Sequence, residues 1–267
     1  MASNAKNLAE YLNNQTTSAT ADIADGSITT DKLAADAVTA AKLADNAVVS
    51  ANLSAGTIEG SGVNLGRRNL LINGAMQVQQ RGDQTCLTDA YTGVDRFKFL
   101  SNGGSVVTGK EGGAGVSTSE NGFSKSLHIQ VTTADTSVAA SDYALVRQLI
   151  EGRNLQHLKY GTSSAETLTL SFWVKSPKTG VHWVEMFTFD SSKFNSASYT
   201  VNSANTWEKK TVSFVGLTTT AIADDNTTGI LVQWWLVAGS TYTGGTHPGN
   251  TWHTTNANRV PGQVNVM

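Results

Sequence analysis

Residues 239–258, "GSTYTGGTHPGNTWHTTNAN", bring Tyr242, His247, Trp252 and His253 into one Gly- and Thr-rich stretch. Long loops that carry aromatics are places where binding chemistry concentrates. The chemistry on offer is stacking. A flat ring packs on the apolar face of a pyranose, while hydroxyl, imidazole and amide groups nearby take its hydroxyls. Trp173 is a further candidate, because alternation in "TLTLSFWVK" (167–175) sets it with Thr167, Thr169 and Ser171, opposite Leu168, Leu170, Phe172 and Val174. Trp252 has a competing role, folding back to cover the edge of a sandwich. Trp234 and Trp235 are neighbours in "GILVQWWLVA" (229–238) and must face opposite ways, so one of them enters the core.

Cleaving a glycosidic bond needs two carboxylates held across a cleft. Glu185, Asp190, Glu208, Asp224 and Asp225 are available, and no spacing singles out a pair. The chain has no nucleophile elbow, P-loop or HExxH motif, so the reading is a protein that is not an enzyme. Asp224-Asp225-Asn226 has turn composition. A loop of that kind could also seat a structural Ca²⁺, and no other cofactor or metal is expected. His247 and His253 lack ligand spacing with any cysteine. Cys86 is the one cysteine, so no intrachain disulfide can form, and it is expected to be a small core residue of a chain made in a reducing cytoplasm.

Only 15% of residues are charged and the net charge is −2, against ~25% charged residues in an average domain. The densest basic pairs are Arg67–Arg68 and Lys209–Lys210. Nucleic acid or an acidic membrane surface would need a clustered basic face, so neither is an expected partner. No apolar run approaches the ~18 residues of a membrane span. The opening "MASNAKNLAEYLNNQTT" lacks a basic region followed by an apolar run, so no signal peptide is expected.

The elements that must position these residues fall into three zones. Residues 1–22 hold one or two helical turns around Leu8 and Leu12, then a polar hinge. Residues 23–66 are a repeat of ten: GSITTDKLAA, DAVTAAKLAD, NAVVSANLSA, GTIEGSGVNL. Ile28, Leu33, Val38, Leu43, Val48, Leu53 and Ile58 return every five positions, and Val63 continues the series. A helix needs 3.6, a coiled coil 3.5 and a strand 2. A period of five fits short helical turns, with Thr29 or Thr39 as N-cap, joined by brief extended links. Burying so few apolar side chains does not clearly offset the entropy of ordering the backbone that carries them. Several chains wound about one axis would bury the apolar line against copies of itself. The single-chain alternatives are a pentapeptide-type β-helix, which "ANLSA" also fits, and disorder.

Residues 67–267 read as β-structure. Candidate strands are 69–82, 95–100, 105–109, 126–132, 143–150, 167–175, 180–190, 198–202, 206–215, 229–238 and 262–266, with a short helix or irregular link in "EGRNLQHLKYG". Strands without alternating helices imply an antiparallel sandwich or barrel, and the spacing fits a jelly roll.

"GSITTDKLAADAVTAAKLADNAV" closely resembles the decapeptide repeats in tail fibre proteins of tailed bacteriophages. "RRNLLINGAMQVQQRG" and "DRFKF" resemble the start of the module that follows such repeats. "LTLSFWVKSPKTGVHW", "NTWEKKTVSF" and "ADDNTTGILVQWWLVAGSTY" resemble strands of jelly-roll carbohydrate-binding modules. The resemblance covers about 25–267. It implies a mainly β fold, a homotrimer with a repeat stalk and a jelly-roll domain. Its partners would be further copies of itself, virion proteins at the N-terminus, and bacterial surface glycan at the β-domain. The function implied is host adsorption as part of the virion, with several weak sites acting together. The alternatives are a structural head or neck fibre or connector that docks other tail proteins, and a tail-borne glycan depolymerase. Another strand commonly follows the equivalent of Val264-Asn265-Val266 in such proteins. Here the module would close differently or continue in a longer product.

Overall fold

The computed structural model describes residues 69–86, 88–103, 106–111 and 122–266. The N-terminal segment 1–22 and the repeat, with the proposed axis Ile28, Leu33, Val38, Leu43, Val48, Leu53 and Ile58, lie outside the described residues.

Among the described residues eleven strands follow in order: β1 Gln84–Cys86, β2 Ala90–Tyr91, β3 Phe97–Asn102, β4 Val106–Glu111, β5 Leu127–Thr133, β6 Tyr143–Glu151, β7 Leu168–Val174, β8 Gly180–Thr188, β9 Lys193–Val201, β10 Glu208–Phe214 and β11 Thr228–Ala238. Every pairing among them is antiparallel. A six-stranded sheet runs β2-β3-β6-β11-β8-β9, and smaller sheets run β1-β4-β5 and β10-β7. The pairs β6–β11, β7–β10 and β8–β9 are nested one inside the next along the chain.

Both small sheets cover the same face of the large one. Ile150, Val184, Met186, Ile230 and Val232 of the large sheet meet Leu168, Leu170, Phe172, Val212 and Phe214 of β7 and β10. Phe97, Phe99, Ala144 and Val146 meet Cys86, Val107, Leu127, Ile129 and Val131 of β1, β4 and β5. The strands alternate as their sequences do, so β7 buries Leu168, Leu170 and Phe172 and turns Thr169 and Ser171 outward. Trp234 enters this core, edge-on to Phe172 at 5.8 Å, while Trp235 takes the opposite face. Cys86 is buried here, and burial pushes its thiol up.

Two expected strands are absent. Residues 69–82 form a turn followed by irregular chain. Asn73 and Met76 both have φ of 57°, a left-handed conformation that breaks a strand and suits Asn. Asn73 then ties the segment down, donating from Nδ2 to the carbonyls of Val78 (3.0 Å) and Asp95 (3.1 Å) and accepting from the Val78 N–H (3.0 Å). Gln148, fully buried on the inner face, donates to the Ile72 carbonyl (2.9 Å) and accepts from the Ile72 N–H (2.7 Å), as a neighbouring strand would. Residues 262–266 make single backbone bonds, Val264 N–H to Val181 O and Val266 N–H to Leu236 O, and no ladder. The "EGRNLQHL" link is a 3-10 helix, Gly152–Leu158, whose Leu155 and Leu158 are buried.

Candidate functional site

The second face of the six-stranded sheet carries the site. On β6 the outward residues are Tyr143, Leu145, Arg147 and Leu149. On β11 they are Leu231, Gln233 and Trp235. On β8 they are Trp183, Glu185 and Phe187, and on β9 Phe194 and Ser196. Strand registers place Lys98, Arg147, Gln233, Glu185 and Ser196 opposite one another, so a polar rung crosses five adjacent strands. Apolar rungs flank it. One is Leu100–Leu145–Trp235, and the other is Leu149–Leu231–Phe187–Phe194.

The segment after β11 returns over this face. Gly239 starts it. A Cβ there would fall 2.1 Å from the Ala139 carbonyl oxygen, so only glycine lets the chain pass. A single helical turn, α1 Ser240–Thr243, then sets Tyr242 edge-on to Tyr143 at 5.7 Å and against Trp235 at 5.3 Å. Asn256–Asn258 forms a 3-10 turn that delivers Arg259. Arg259 closes a bidentate pair with Glu185, donating from Nε to Oε2 (2.9 Å) and from Nη2 to Oε1 (2.6 Å). Gln233 Nε2 (2.5 Å) and Ser196 Oγ (2.9 Å) donate to the same carboxylate, which is 0% exposed. The Arg259 guanidinium lies 3.9 Å from the Phe194 ring centroid and 4.8 Å from that of Trp235. A buried carboxylate with four donors and a stacked counter-ion is fully compensated.

At the other end of the rung, Asp89 accepts from Lys98 Nζ at 2.9 Å and from Arg147 Nη2 at 3.1 Å. Burial pushes its carboxyl up, but the two cations outweigh that and hold it below the usual carboxylate range. Lys98 and Arg81 both sit over the Tyr91 ring, at 5.0 and 4.8 Å.

A cleft of about 330 Å³ opens on this face between the two ends. Aromatic walls come from Tyr143, Tyr242, Phe187, Phe189, Phe194 and Trp235, with Arg147, Gln233 and Arg259 as polar groups. Phe189 is 55% exposed and meets Phe187 edge-on at 5.0 Å. Rigid rings beside a few fixed polar groups suit a small, ring-shaped polar ligand.

The structure separates the residues singled out by sequence. Tyr242 lines the cleft. His247 and His253 stand beside it, their rings 6.3 Å apart, with His247 against Trp183 at 4.6 Å. Burial lowers both imidazole pKa values. For His247 the neighbouring His253 adds to this, and for His253 Glu185 opposes it while Arg259 reinforces it. Trp252 is elsewhere: it meets Tyr160 edge-on at 6.1 Å, donates from Nε1 to the Val215 carbonyl at 2.8 Å, and covers the sandwich edge. Trp173 lies on β7, in the layer opposite the cleft. Asp225 accepts from its own turn, at Thr227 N–H (2.9 Å) and Oγ1 (2.7 Å), and among the described residues no three His, Cys, Asp or Glu gather as a metal site. Of the carboxylates weighed for hydrolysis, Glu185 is locked by Arg259 and Glu208 by Lys210 at 2.5 Å. Asp190 accepts from the Ala223 N–H at 3.4 Å.

Arg147, Gln233, Glu185 and Arg259 were not singled out for binding from sequence. A signal was present: in "YALVRQLI", "ILVQWWL" and "VHWVEMF" the residues Arg147, Gln233 and Glu185 interrupt runs of mostly apolar ones at the outward parity.

No protein-family model matches the chain, and no curated protein matches it. Among solved structures, it is similar to the enzymatically active domain of tailspike protein 4 of bacteriophage CBA120, at a TM-score of 0.38 and 16% identity over 64% of this chain. The match takes in 20% of that protein's chain. No helix among the described residues is long and apolar enough to cross a membrane.

Proposed function

We propose that this chain is a virion fibre protein whose β-domain, a jelly roll, binds bacterial surface glycan in the cleft on the outer face of the six-stranded sheet. One observation carries the binding reading. Six aromatic rings and three polar side chains converge on one cleft of about 330 Å³, the size of one or two sugar rings. The nested pairs β6–β11, β7–β10 and β8–β9 support the jelly roll, which is a long hairpin rolled up on itself. The fibre and its trimeric stalk rest on the five-residue apolar period of 23–66 and the resemblance to tail fibre repeats. A trimer would offer three clefts, so weak single sites suffice.

Binding of the full chain to immobilised lipopolysaccharide and capsule preparations tests the reading. Retention on at least one surface is expected, weakened up to about tenfold by Phe189→Ala, in keeping with the ~0.5–1.5 kcal/mol of a stacking contact. Retention on none, or full retention by both Phe189→Ala and Tyr242→Ala, would leave the chain a structural virion component. Native mass of the full chain checks the trimer.

A further inference from the structure

The charges around the cleft point to one class of sugar. Glu185 is matched by Arg259. Asp89 is shared by two cations, Lys98 and Arg147, so this end of the rung keeps one positive charge in excess. Arg147 is the member of that pair that lines the cleft. Its Nη2 donates to Asp89. A carboxylate already shared between two cations leaves part of the Arg147 charge unbalanced in the wall of the cleft, and that surplus is complementary to an anionic ligand.

We infer that the cleft takes an acidic sugar, a hexuronic or nonulosonic acid, whose carboxylate balances the charge of Arg147 while its ring packs on the aromatic walls. This inference rests on the glycan-binding reading above. A carboxylate on a pyranose ring suits the site because the Arg147 charge and the aromatic walls belong to the same small cleft. The chemistry is binding only, with no bond made or broken.

The test uses the full chain and oligosaccharides containing glucuronic, galacturonic or N-acetylneuraminic acid. Each is paired with the same oligosaccharide after chemical reduction of its carboxyl groups to alcohols, and a glycerol-phosphate oligomer is run alongside. For at least one pair, the acidic form is expected to bind about ten- to a hundredfold more tightly than its reduced product, the range of one charge-assisted hydrogen bond. Arg147→Gln should erase that difference. Arg147→Lys, which keeps the charge and loses the planar guanidinium, should keep part of it, and unchanged melting of both variants would confirm the fold. Equal binding of native and reduced forms overturns the acidic class and leaves a neutral-glycan site. Tight binding of the glycerol-phosphate oligomer alone overturns the sugar acid in favour of phosphate. Binding of no probe, together with no retention on the polysaccharide surfaces, removes the glycan reading itself.

Discussion

Replacing Arg259 with Met tests how the segment after β11 is fastened to the sheet. Glu185 is 0% exposed and receives four hydrogen bonds, two of them from Arg259. Without Arg259 the carboxylate stays buried with only Gln233 and Ser196. Removing one partner of a buried pair costs ~3–5 kcal/mol, most of it the stranded charge. Met fills most of the space over Phe194 and Trp235, so lost packing is a minor part. The two remaining donors place the expected loss near the lower figure, ~3 kcal/mol, out of a total of ~5–15 for a typical domain. Guanidinium unfolding read by tryptophan fluorescence suits the measurement, because Trp235 lies 4.8 Å from the Arg259 guanidinium. A loss under ~1 kcal/mol at pH 7 would refute the reasoning. The double variant Glu185→Leu/Arg259→Met should be less impaired than Arg259→Met alone, since it strands no charge.

Trp252→Ala should destabilise the domain by less than the ~3–5 kcal/mol of a fully buried tryptophan and leave the proposed glycan binding unchanged, because its indole packs on Tyr160 and not in the cleft; altered binding by the folded variant would move Trp252 into the site. Glu208, bonded to Lys210 and to the Ser203 and Asn202 N–H groups, has its carboxyl pulled down to about 2. Its contribution to stability is present above the unfolded value of ~4.3 and lost as pH falls through about 2, and an NMR titration midpoint near the unfolded value would contradict the hairpin geometry. The Cys86 thiol, buried and pushed up, should resist a thiol reagent until the chain is denatured; rapid labelling of the folded protein would show that the β1 corner opens.

Strand content was legible because alternation is local. "TLTLSFWVK" and "YALVRQLI" announce both their period and their two faces. Adjacent Trp234 and Trp235 announce that they take opposite faces of β11 and that one enters the core; in the structure both faces are covered. "NLLINGAMQVQQRG" misleads for a physical reason. Its apolar residues suit a strand, but Asn73 adopts a left-handed conformation and uses its side chain in place of a neighbouring strand. The site was harder to read. Tyr242 was legible as an aromatic in a long loop, and Trp252 carried the same signal with a different destination. Arg147, Gln233 and Glu185 become neighbours only through the registers of β6, β11 and β8, and Arg259 reaches them from 74 positions beyond Glu185. Nothing in a window of a few residues reports such a register.

The place of β11 in the large sheet sets a constraint on biosynthesis. It lies between β6 and β8, yet it leaves the ribosome after both. Until it emerges, β6 and β8 each present an open edge, and direct pairing of one with the other would shut β11 out. The sheet therefore cannot be completed strand by strand as translation proceeds. Its closure waits for a contact between distant parts of the chain, a topology that folds slowly and leaves strand edges exposed meanwhile. In a crowded cell full of identical nascent chains, those waiting edges make the interval between emergence of β6 and capture of β11 the period most open to mispairing between copies.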